Sequence, residues 1–261
     1  MEYTFISGAT GGIGKAFCLE CLKSNDNLFL TGRSENKLAD LKAQLEKIAS
    51  VNIEYFACDL ADQNSRAKML EYIDDKDISF KRIINVAGVD TQKAFLEYTQ
   101  EKVLFQLRVN AEATVCLTHD LLSRRAKNAE IITISSMSGE SPMPYFALYS
   151  ATKAMLTNFF TALHYELKKE GVKVTVVLPG GVPTRQDIID EIKSQGLWGK
   201  LSAKTPGFVA RKSLKAVKKN KVTYIPGAFN KFLNAVMKIM PKKIVLSFIA
   251  CRWKKHSKDA F

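Results

Sequence analysis

The sequence predicts an α/β fold, a doubly wound parallel sheet between two layers of helices. Short runs of Ile, Val and Leu alternate with amphipathic helical patterns as far as Leu178. Strands that are apolar throughout are typical of a parallel sheet buried on both faces. Repeated strand–helix units imply right-handed crossovers, which place helices on both sides of the sheet.

The predicted elements follow one another at a regular pace. Strands are predicted at residues 3–7, 28–31, 52–57, 83–86, 131–135 and 172–178, with a candidate last strand at 222–225. Helices are predicted at residues 14–24, 34–48, 65–73, 99–125, 148–170 and 205–219. Ser34 and Thr205 have the type and position of N-caps, and Pro206 suits a first helical turn. Residues 185–204 mix charged side chains with Leu197 and Trp198, and we interpret them as a mobile substrate loop.

Size and charge divide the chain into a domain and a tail. The 261 residues, 46% of them hydrophobic, are enough for one substantial core. We predict one domain over residues 1–227 and a basic amphipathic helical tail over residues 228–261. Residues 1–195 carry 23 Lys/Arg and 25 Asp/Glu, whereas residues 196–261 carry 16 Lys/Arg and one acid, Asp259. This asymmetry predicts an anionic partner for the last quarter of the chain.

Cysteine usage and hydropathy bear on the compartment. Five cysteines without a compact framework suit a reducing environment. Cys18 and Cys21 are either a redox pair or inert core thiols of the first helix, and we favour the thiols. The sequence shows no secretory signal and no run of about 18 apolar residues, so we expect a cytoplasmic protein. No His/Cys cluster has metal-ligand spacing, and no metal is expected.

A glycine-rich turn joins the first strand to the first helix: Ser7-Gly8-Ala9-Thr10-Gly11-Gly12-Ile13-Gly14. Glycines let the backbone turn sharply and approach a pyrophosphate, and the following helix N-terminus offers N–H groups and a positive dipole end. We therefore predict a dinucleotide-binding loop with contacts from Gly8, Thr10, Gly12, Ile13 and Gly14. A tight turn that binds nothing is the alternative.

The end of the second strand bears on the choice of dinucleotide. An NAD site usually places a carboxylate near here, but this sequence has Arg33 followed by Ser34. A guanidinium can pair with a 2′-phosphate, so we predict NADP(H) bound by both residues, the alternative being a solvated Arg33. Five more predicted cofactor contacts close the third and fourth strands: Asp59, Leu60, Asn85, Ala87 and Gly88.

Tyr149 and Lys153 stand four residues apart, on one face of a predicted helix. A cation near a phenol stabilises the phenolate, so Tyr149 could exchange a proton near neutral pH. Ser136, at the end of the fifth strand, can come alongside and hydrogen-bond a carbonyl. By itself, a Tyr/Lys pair at helical spacing is more often a surface contact.

Together these motifs resemble the short-chain dehydrogenases/reductases. The matching features, in family order over about residues 3–190, are the glycine loop, Asn85-x-Ala87-Gly88, Asn110, Ser136, Tyr149-x-x-x-Lys153 and Pro179-Gly180 followed by Thr184. Ser7 stands where the family usually has Thr, Val86 where it has a second Asn, and Gly181 is an added glycine. No catalytic group is lost, and the resemblance implies a Rossmann fold and a homo-oligomer.

The resemblance implies a role for each catalytic residue. Tyr149 would be the general acid, Lys153 would lower its pKa, and Ser136 would orient the carbonyl. Asn110 would hold a water in a proton relay that reaches Lys153. Tyr149 and Lys153 would also touch the cofactor, and four residues would line the nicotinamide amide: Pro179, Gly180, Val182 and Thr184.

The remaining signals concern the substrate and the tail. Five side chains predict a pocket for an apolar ketone or 3-oxoacyl group: Met137, Met143, Tyr145, Phe146 and Trp198. In the tail, apolar residues recur at helical intervals among lysines. That pattern fits packing on the domain or a dimer partner, contact with an anionic membrane, or contact with an acidic carrier protein. Nucleic acid is not expected, because the aromatic residues sit among aliphatic ones.

These observations predict an NADP(H)-dependent oxidoreductase that moves hydride between nicotinamide and a carbonyl or secondary alcohol. The reverse direction, alcohol oxidation, fits the same residues. A different class also remains open, a non-catalytic NADP(H)-binding sensor or membrane-tethered scaffold that acts through the basic tail.

Overall fold

The computed structural model describes residues 1–253, apart from the side chains of Glu191 and Arg252. Its seven strands are β1 Glu2–Ser7, β2 Asn27–Gly32, β3 Ile53–Ala57, β4 Ser79–Asn85, β5 Arg125–Ile134, β6 Lys173–Val177 and β7 Thr223–Tyr224. They form one parallel sheet in the order β3-β2-β1-β4-β5-β6-β7. The predicted doubly wound sheet is confirmed, and its strand order reverses between β1 and β4, where such sheets bind ligands.

Eleven α-helices complete the described part of the chain. They are α1 Gly12–Leu22, α2 Glu35–Glu46, α3 Gln63–Asp75, α4 Gln100–Leu107, α5 Ala113–Leu122, α6 Ala147–Glu166, α7 Gln186–Ser194, α8 Gly196–Ser202, α9 Pro206–Lys218, α10 Ala228–Ile239 and α11 Lys242–Trp253. Buried side chains of α1, α2 and α9 pack on one face of the sheet, and those of α3, α5 and α6 pack on the other. The molecule therefore has the predicted three layers.

The strands are apolar throughout because both of their faces are covered. In β1, Ile6 belongs to the core on the α1 side, while its neighbour Phe5 belongs to the core on the α6 side. Successive side chains of a strand point to opposite faces, so each face needs its own apolar residue. On the α6 side, Phe5, Phe29 and Phe80 lie with ring centroids 5.8–5.9 Å apart.

The helix predicted over residues 99–125 is interrupted. α4 ends at Leu107, a π turn spans Arg108–Glu112, α5 ends at Leu122, and Arg125 already begins β5. A π turn inserts one residue into the helical repeat and shifts the side chains around it. Here the turn contains Asn110, which is fully buried.

Residues 185–204, interpreted from the sequence as a mobile loop, contain the helices α7 and α8. A Cβ added at Gly199 would lie 2.0 Å from the carbonyl oxygen of Ile192, so only glycine lets the two helices approach this closely. The mixed composition of the segment concealed this packing. The segment is therefore a helical hairpin, and its mobility stays a prediction.

The described part of the tail is helical, as predicted, with α10 and α11 separated at Pro241. Lys254 and Lys255, which belong to the predicted tail, lie outside the described residues. Within residues 1–253, none of the helices combines the length and the apolar character needed to span a bilayer. Cys18 and Cys21 are buried without a disulfide, which confirms them as core thiols, and burial raises the pKa of Cys21 to about 12.

Candidate active site

The candidate site lies at the carboxyl ends of the central strands. Ser7 ends β1, and its hydroxyl accepts hydrogen bonds from the N–H groups of Val86 (3.0 Å) and Ala87 (3.2 Å) just beyond β4. This contact joins the two strand ends on either side of the sheet's switch point. The Ser7 hydroxyl thus holds the loop after β4 in place.

The glycine loop has the form expected of a pyrophosphate cradle. Gly8 has a φ of +61°, and a Cβ there would lie 3.0 Å from the Cα of Ala87. A Cβ on Gly12 would lie 2.8 Å from the side chain of Thr184, and one on Gly14 would lie 2.2 Å from the carbonyl oxygen of Gly8. No side chain caps α1 at Gly11. The helix therefore presents backbone N–H groups to an anion, which fits a dinucleotide.

The residues predicted for the adenosine end lie at neighbouring strand ends. Thr10 reaches the end of β2, with its Oγ1 3.5 Å from the Cβ position of Gly32. Arg33 is exposed, and its guanidinium lies 5.9 Å from the centroid of the Phe105 ring. The hydroxyl of Ser34 caps α2 by accepting from the N–H of Lys37 at 3.4 Å. The Arg33 guanidinium thus lies at the surface beside Phe105, just beyond the end of β2.

Two predicted contacts have side chains committed to the fold. The Asn85 amide is buried and donates to the hydroxyls of Thr118 (2.9 Å) and Thr133 (3.2 Å). Leu60 is buried in the core on the α6 side. Asp59 is exposed and accepts from the N–H of Ala61 at 3.0 Å. Asn85 and Leu60 could reach a dinucleotide only through their backbones, whereas the Asp59 carboxylate faces solvent.

Ser136, Tyr149 and Lys153 are brought together. Ser136 follows β5 and caps a short 3-10 turn, its hydroxyl accepting from the N–H of Ser138 at 3.1 Å. Tyr149 and Lys153 lie one turn apart on α6, and both line the same cavity as Ser136. The Lys153 ammonium lies 5.6 Å from the centroid of the Tyr149 ring and donates to the carbonyl of Ile134 at 3.0 Å.

Burial has the largest effect on the pKa values of this cluster. The pKa of Tyr149 is raised, chiefly by burial and then by the Asp90 carboxylate, and Ser136 and Arg185 oppose this only in part. Burial lowers the pKa of Lys153 to about 8. The Lys153 ammonium lies over the ring and bonds to a backbone carbonyl, and its lowering of the Tyr149 pKa stays a prediction. At neutral pH the phenol keeps its proton.

Asn110 is held by the loop after β4. Its side-chain oxygen accepts from the N–H of Val89 at 2.7 Å, and its amide donates to the carbonyl of Val89 (2.8 Å) and the hydroxyl of Thr152 (3.2 Å). The side chain thus fastens the loop to α6 beside Lys153. These three hydrogen bonds are structural, and the water relay through Asn110 remains a prediction.

A cavity of about 670 Å³ opens beside the Tyr149 phenol. Six of the residues predicted to contact the cofactor line it, namely Ile13, Gly88, Pro179, Gly180, Val182 and Thr184. Four of the five predicted substrate residues line it as well: Met137, Met143, Phe146 and Trp198. The exception is Tyr145, which is not among the lining residues and has a φ of +62° in the turn that leads into α6.

The tail helices α10 and α11 form much of the cavity wall, which sequence reasoning missed. Their lining side chains are mostly apolar: Asn230, Leu233, Asn234, Val236, Met237, Met240, Val245, Phe248, Ile249 and Trp253. The Trp253 ring stacks on Phe146 at 6.1 Å, and Phe146 stacks on Tyr149 at 4.4 Å. The helical periodicity of the tail was visible in the sequence, but the partner of its inner face was not.

An ion pair at the cavity wall was also missed. Arg185 donates to Asp90 at 3.0 Å across a separation of 95 residues. Burial and the same Asp90 carboxylate together raise the pKa of Tyr149, whereas at Lys153 Asp90 only partly opposes the lowering of the pKa by burial. No local pattern distinguishes Asp90 or Arg185 from other surface charges, and only the fold brings them to the cavity.

Comparison with known proteins gives one family. A model described as short chain dehydrogenase matches residues 2–191. The very-long-chain 3-oxoacyl-CoA reductase of Laccaria bicolor is 31% identical over 180 residues, which is 66% of this chain and 52% of that protein. The inactive hydroxysteroid dehydrogenase-like protein 1 of Homo sapiens is 30% identical over 188 residues, or 70% of this chain and 56% of that protein. The matched segments thus span about half the length of these curated relatives.

A solved structure from work on 7beta-hydroxysteroid dehydrogenase stereoselectivity superposes on nearly the whole chain. Its TM-score is 0.86 at 23% sequence identity, with 95% of this chain and 96% of that chain covered. The likeness at this identity shows the fold, including the part of the chain beyond the residues that the family model matches.

Proposed function

The chain belongs to the short-chain dehydrogenase family, and on that premise we propose that it is an NADP(H)-dependent reductase of apolar carbonyl compounds. The observation that carries the proposal is the cluster of Ser136, Tyr149 and Lys153 in the wall of a largely apolar cavity. A phenol kept protonated by burial suits a general acid, since reduction of a carbonyl needs a proton as well as a hydride.

In the proposed reaction the substrate carbonyl lies between Ser136 and Tyr149. When bound, NADPH supplies the hydride to the carbonyl carbon. The Ser136 hydroxyl donates a hydrogen bond to the carbonyl oxygen and holds it beside the phenol. Tyr149 gives its Oη proton to that oxygen as negative charge develops on it, and the positive charge of Lys153 stabilises the resulting phenolate. Alcohol oxidation is the same path in reverse, with the phenolate as base.

The residues at the glycine loop fit a dinucleotide, and Arg33 favours NADP(H). The loop, the uncapped start of α1 and Thr184 would hold the pyrophosphate. Arg33 would pair with the 2′-phosphate, since its exposed guanidinium is placed at the end of β2, where an NAD site would need a carboxylate. Pro179, Gly180 and Val182 would line the nicotinamide, and Lys153 would hydrogen-bond its ribose.

The cavity wall supports an apolar substrate. Around the phenol lie Met143, Phe146 and Trp198, and the tail adds Met237 and Ile249. Apolar substrate surface that is buried against such a wall stabilises binding by about 25 cal/mol per Å². A sugar, by contrast, would need a polar partner for each hydroxyl. A ketone or 3-oxoacyl group on a hydrophobic body is therefore the proposed substrate class.

The decisive experiment is NADPH consumption with a panel of carbonyls, from short ketones to long 3-oxoacyl thioesters, with NADH in parallel. Selective turnover of long apolar substrates with NADPH is expected. Tyr149→Phe should lower kcat by at least about a hundredfold while leaving NADPH affinity within about twofold, because only the proton donor is lost. Turnover that persists in this variant would contradict the mechanism.

A second candidate function is a non-catalytic NADP(H)-binding sensor or scaffold that acts through the basic tail. The similarity to the relative from Homo sapiens whose name calls it inactive supports this second candidate. Tight NADPH binding with no turnover of any carbonyl in the panel would support the sensor. Such a result would leave the fold and the cofactor site intact and remove the reductase.

The partners and location of the protein are part of the same proposal. Besides the small apolar substrate, we propose a second copy of the chain and an anionic surface that meets the tail, either a membrane or an acidic carrier protein. A cytoplasmic protein that attaches peripherally to membranes would satisfy both the reducing environment and the basic tail.

A further inference from the structure

The outer side of α10 and α11 combines large apolar and basic side chains. We call this the tail surface, and its exposed residues are Lys231, Phe232, Lys238, Ile239, Lys242, Lys243, Ile244 and Phe248. Phe232 is 66% exposed and Ile239 is 83% exposed, values far above those of the core. Side chains of this size are normally covered when they occur together.

The spacing of these residues places them in adjacent rows. On α10, Lys231 and Lys238 are seven residues apart, and so are Phe232 and Ile239. Seven residues are close to two helical turns, so each pair forms a row along the helix, and the two rows lie side by side. On α11, Ile244 and Phe248 are one turn apart with Lys243 next to them. Apolar side chains thus project from the protein between lysines.

The charges that the tail itself carries are almost all positive. Residues 196–261 contain 16 Lys/Arg, and Asp259 is their only acid. Lys238 pairs with Glu140 at 2.7 Å, an acid from the loop before α6. The tail itself therefore offers a nearly uncompensated positive field to whatever covers the apolar rows.

The cavity reaches the solvent beside the tail surface. Met240 and Phe248 line the cavity and are also exposed, and Trp198 of α8 shares both properties. Trp198 meets α10 through an edge-on contact with Phe229 at 5.1 Å. The mouth of the cavity is therefore framed by the helices that carry the exposed apolar rows.

We propose that the tail surface binds an anionic lipid bilayer and that the cavity mouth faces it, so that apolar substrates enter from the lipid. The entry of substrates from the lipid rests on the proposed reductase function, whereas the binding of the tail surface to lipid does not. Aromatic and aliphatic anchors enter the headgroup region, and each nearby lysine strengthens binding to an anionic surface about fivefold. Lipid would then cover the exposed apolar rows and remove them from water.

Charge separates a bilayer from the other occupants. A second copy would bring the same basic surface against itself, which is unfavourable for an interface related by a two-fold axis. An acidic carrier protein would match the lysines, but it would gain little from Phe232 and Ile239 on a convex helix. The bilayer accounts for both kinds of residue.

The test is sedimentation of the full chain with vesicles of phosphatidylcholine alone or mixed with phosphatidylserine. Binding is expected only to the mixed vesicles, and it should weaken with added salt. Lys242→Glu with Lys243→Glu, and separately Phe232→Ser with Ile239→Ser, should each weaken binding by about tenfold or more. None of these four residues lines the cavity.

Matched controls make the result specific. Lys218→Glu with Lys219→Glu changes the same charge at the end of α9, before β7 begins, at the amino ends of the strands and therefore at the opposite end of the sheet from the cavity. Leu96→Ser removes an exposed apolar side chain outside the tail. Both should bind vesicles within about threefold of the unchanged chain. Tyr149→Phe should bind fully, which keeps this test independent of turnover.

Three results would overturn the proposal. The first is no binding to the mixed vesicles. The second is equal weakening by the Lys218 and Lys219 control, or no effect of the Phe232 and Ile239 pair, which would indicate a charge-driven partner such as an acidic protein. The third is a dimer that dissociates in the variant with Phe232→Ser and Ile239→Ser, which would assign the surface to a second copy.

The access route has its own test. The variant with Phe232→Ser and Ile239→Ser should slow reduction of a bilayer-dissolved ketone but not of a water-soluble one.

Discussion

Tyr149 and Lys153 share a pocket in which charge is costly. Burial raises the pKa of the phenol and lowers that of the ammonium to about 8. Asp90 acts on both groups in the same direction, favouring their protonated forms. At pH 7 the pair is thus a neutral acid beside a cation, the state in which Tyr149 can donate a proton.

The pH dependence of reduction should report Lys153. Its charge is present below pH about 8 and is lost above it, while Tyr149 stays protonated through this range. We expect kcat/KM for NADPH to fall by about tenfold per pH unit above that point, because this parameter follows ionisations of the free enzyme. The control is Lys153→Arg, whose guanidinium does not titrate; if that variant is active, its profile should be flat there. A falling limb in Lys153→Arg would assign the ionisation to another group.

Arg33 should decide between the two dinucleotides. Arg33→Asp removes the cation and puts a carboxylate where a ribose hydroxyl would accept it. NADPH affinity is expected to fall about 10- to 150-fold, the range of one lost charge-assisted contact, and NADH affinity to stay or improve. Fluorescence titration of both dinucleotides measures the ratio. Equal affinities in the unchanged chain would show that Arg33 is merely solvated.

At the scale of elements, the site depends on how the 3-10 turn after β5 packs on α6. A Cβ added at Gly139 in that turn would lie 2.7 Å from the carbonyl carbon of Lys153. This contact fixes the distance between Ser136 on the turn and Tyr149 on the helix. The glycine therefore positions the catalytic groups without touching the substrate.

Gly139→Ala is expected to separate Ser136 from Tyr149. The turn must move, which should cost about 1–3 kcal/mol of unfolding free energy and lower kcat more than it raises KM. Denaturant unfolding and steady-state kinetics measure both quantities. The matched control is Gly207→Ala on α9, where an added Cβ meets nothing within 4 Å, so stability should be unchanged or slightly raised. Unchanged kcat in Gly139→Ala would refute the positioning role.

At the scale of the whole molecule, a second apolar face lies away from the cavity mouth. Leu104 and Leu107 on α4 and Met155 and Phe159 on α6 are exposed, and the two helices pack side by side. Their spacings of three and four residues place each pair on one helix face. This face, and not the basic tail surface, is where we expect a second copy of the chain.

The prediction is a homodimer that separates when this face becomes charged. Met155→Glu with Phe159→Glu should give a monomer by light scattering after gel filtration, because burying two carboxylates without partners is costly. Leu19→Glu on α1 introduces a similar charge at another exposed leucine and should leave the dimer intact. A monomeric unchanged chain would remove the homo-oligomer from the proposed partners.

The sequence by itself determined the sheet and the position of the glycine loop, and it predicted the candidate catalytic residues. Each of these depends on local spacing, such as apolar runs for buried strands, glycines at a strand–helix junction and four residues between Tyr149 and Lys153. The helices of residues 185–204 escaped prediction, because the close approach at Gly199 is a tertiary contact. The π turn around Asn110 left no periodic signal either.

Only the tertiary structure decided what the inner face of the tail covers. Helical periodicity shows that α10 and α11 have an apolar side. The same pattern would arise whether that side is covered by a membrane, by a partner or by the chain's own domain. The contact of Trp253 with Phe146, about a hundred residues earlier in the chain, resolves this for the inner face. The pairing of Asp90 with Arg185, and the raised pKa of Tyr149, depend likewise on burial and on distant charges. Burial and field arise from the whole fold, so local sequence could not reveal them.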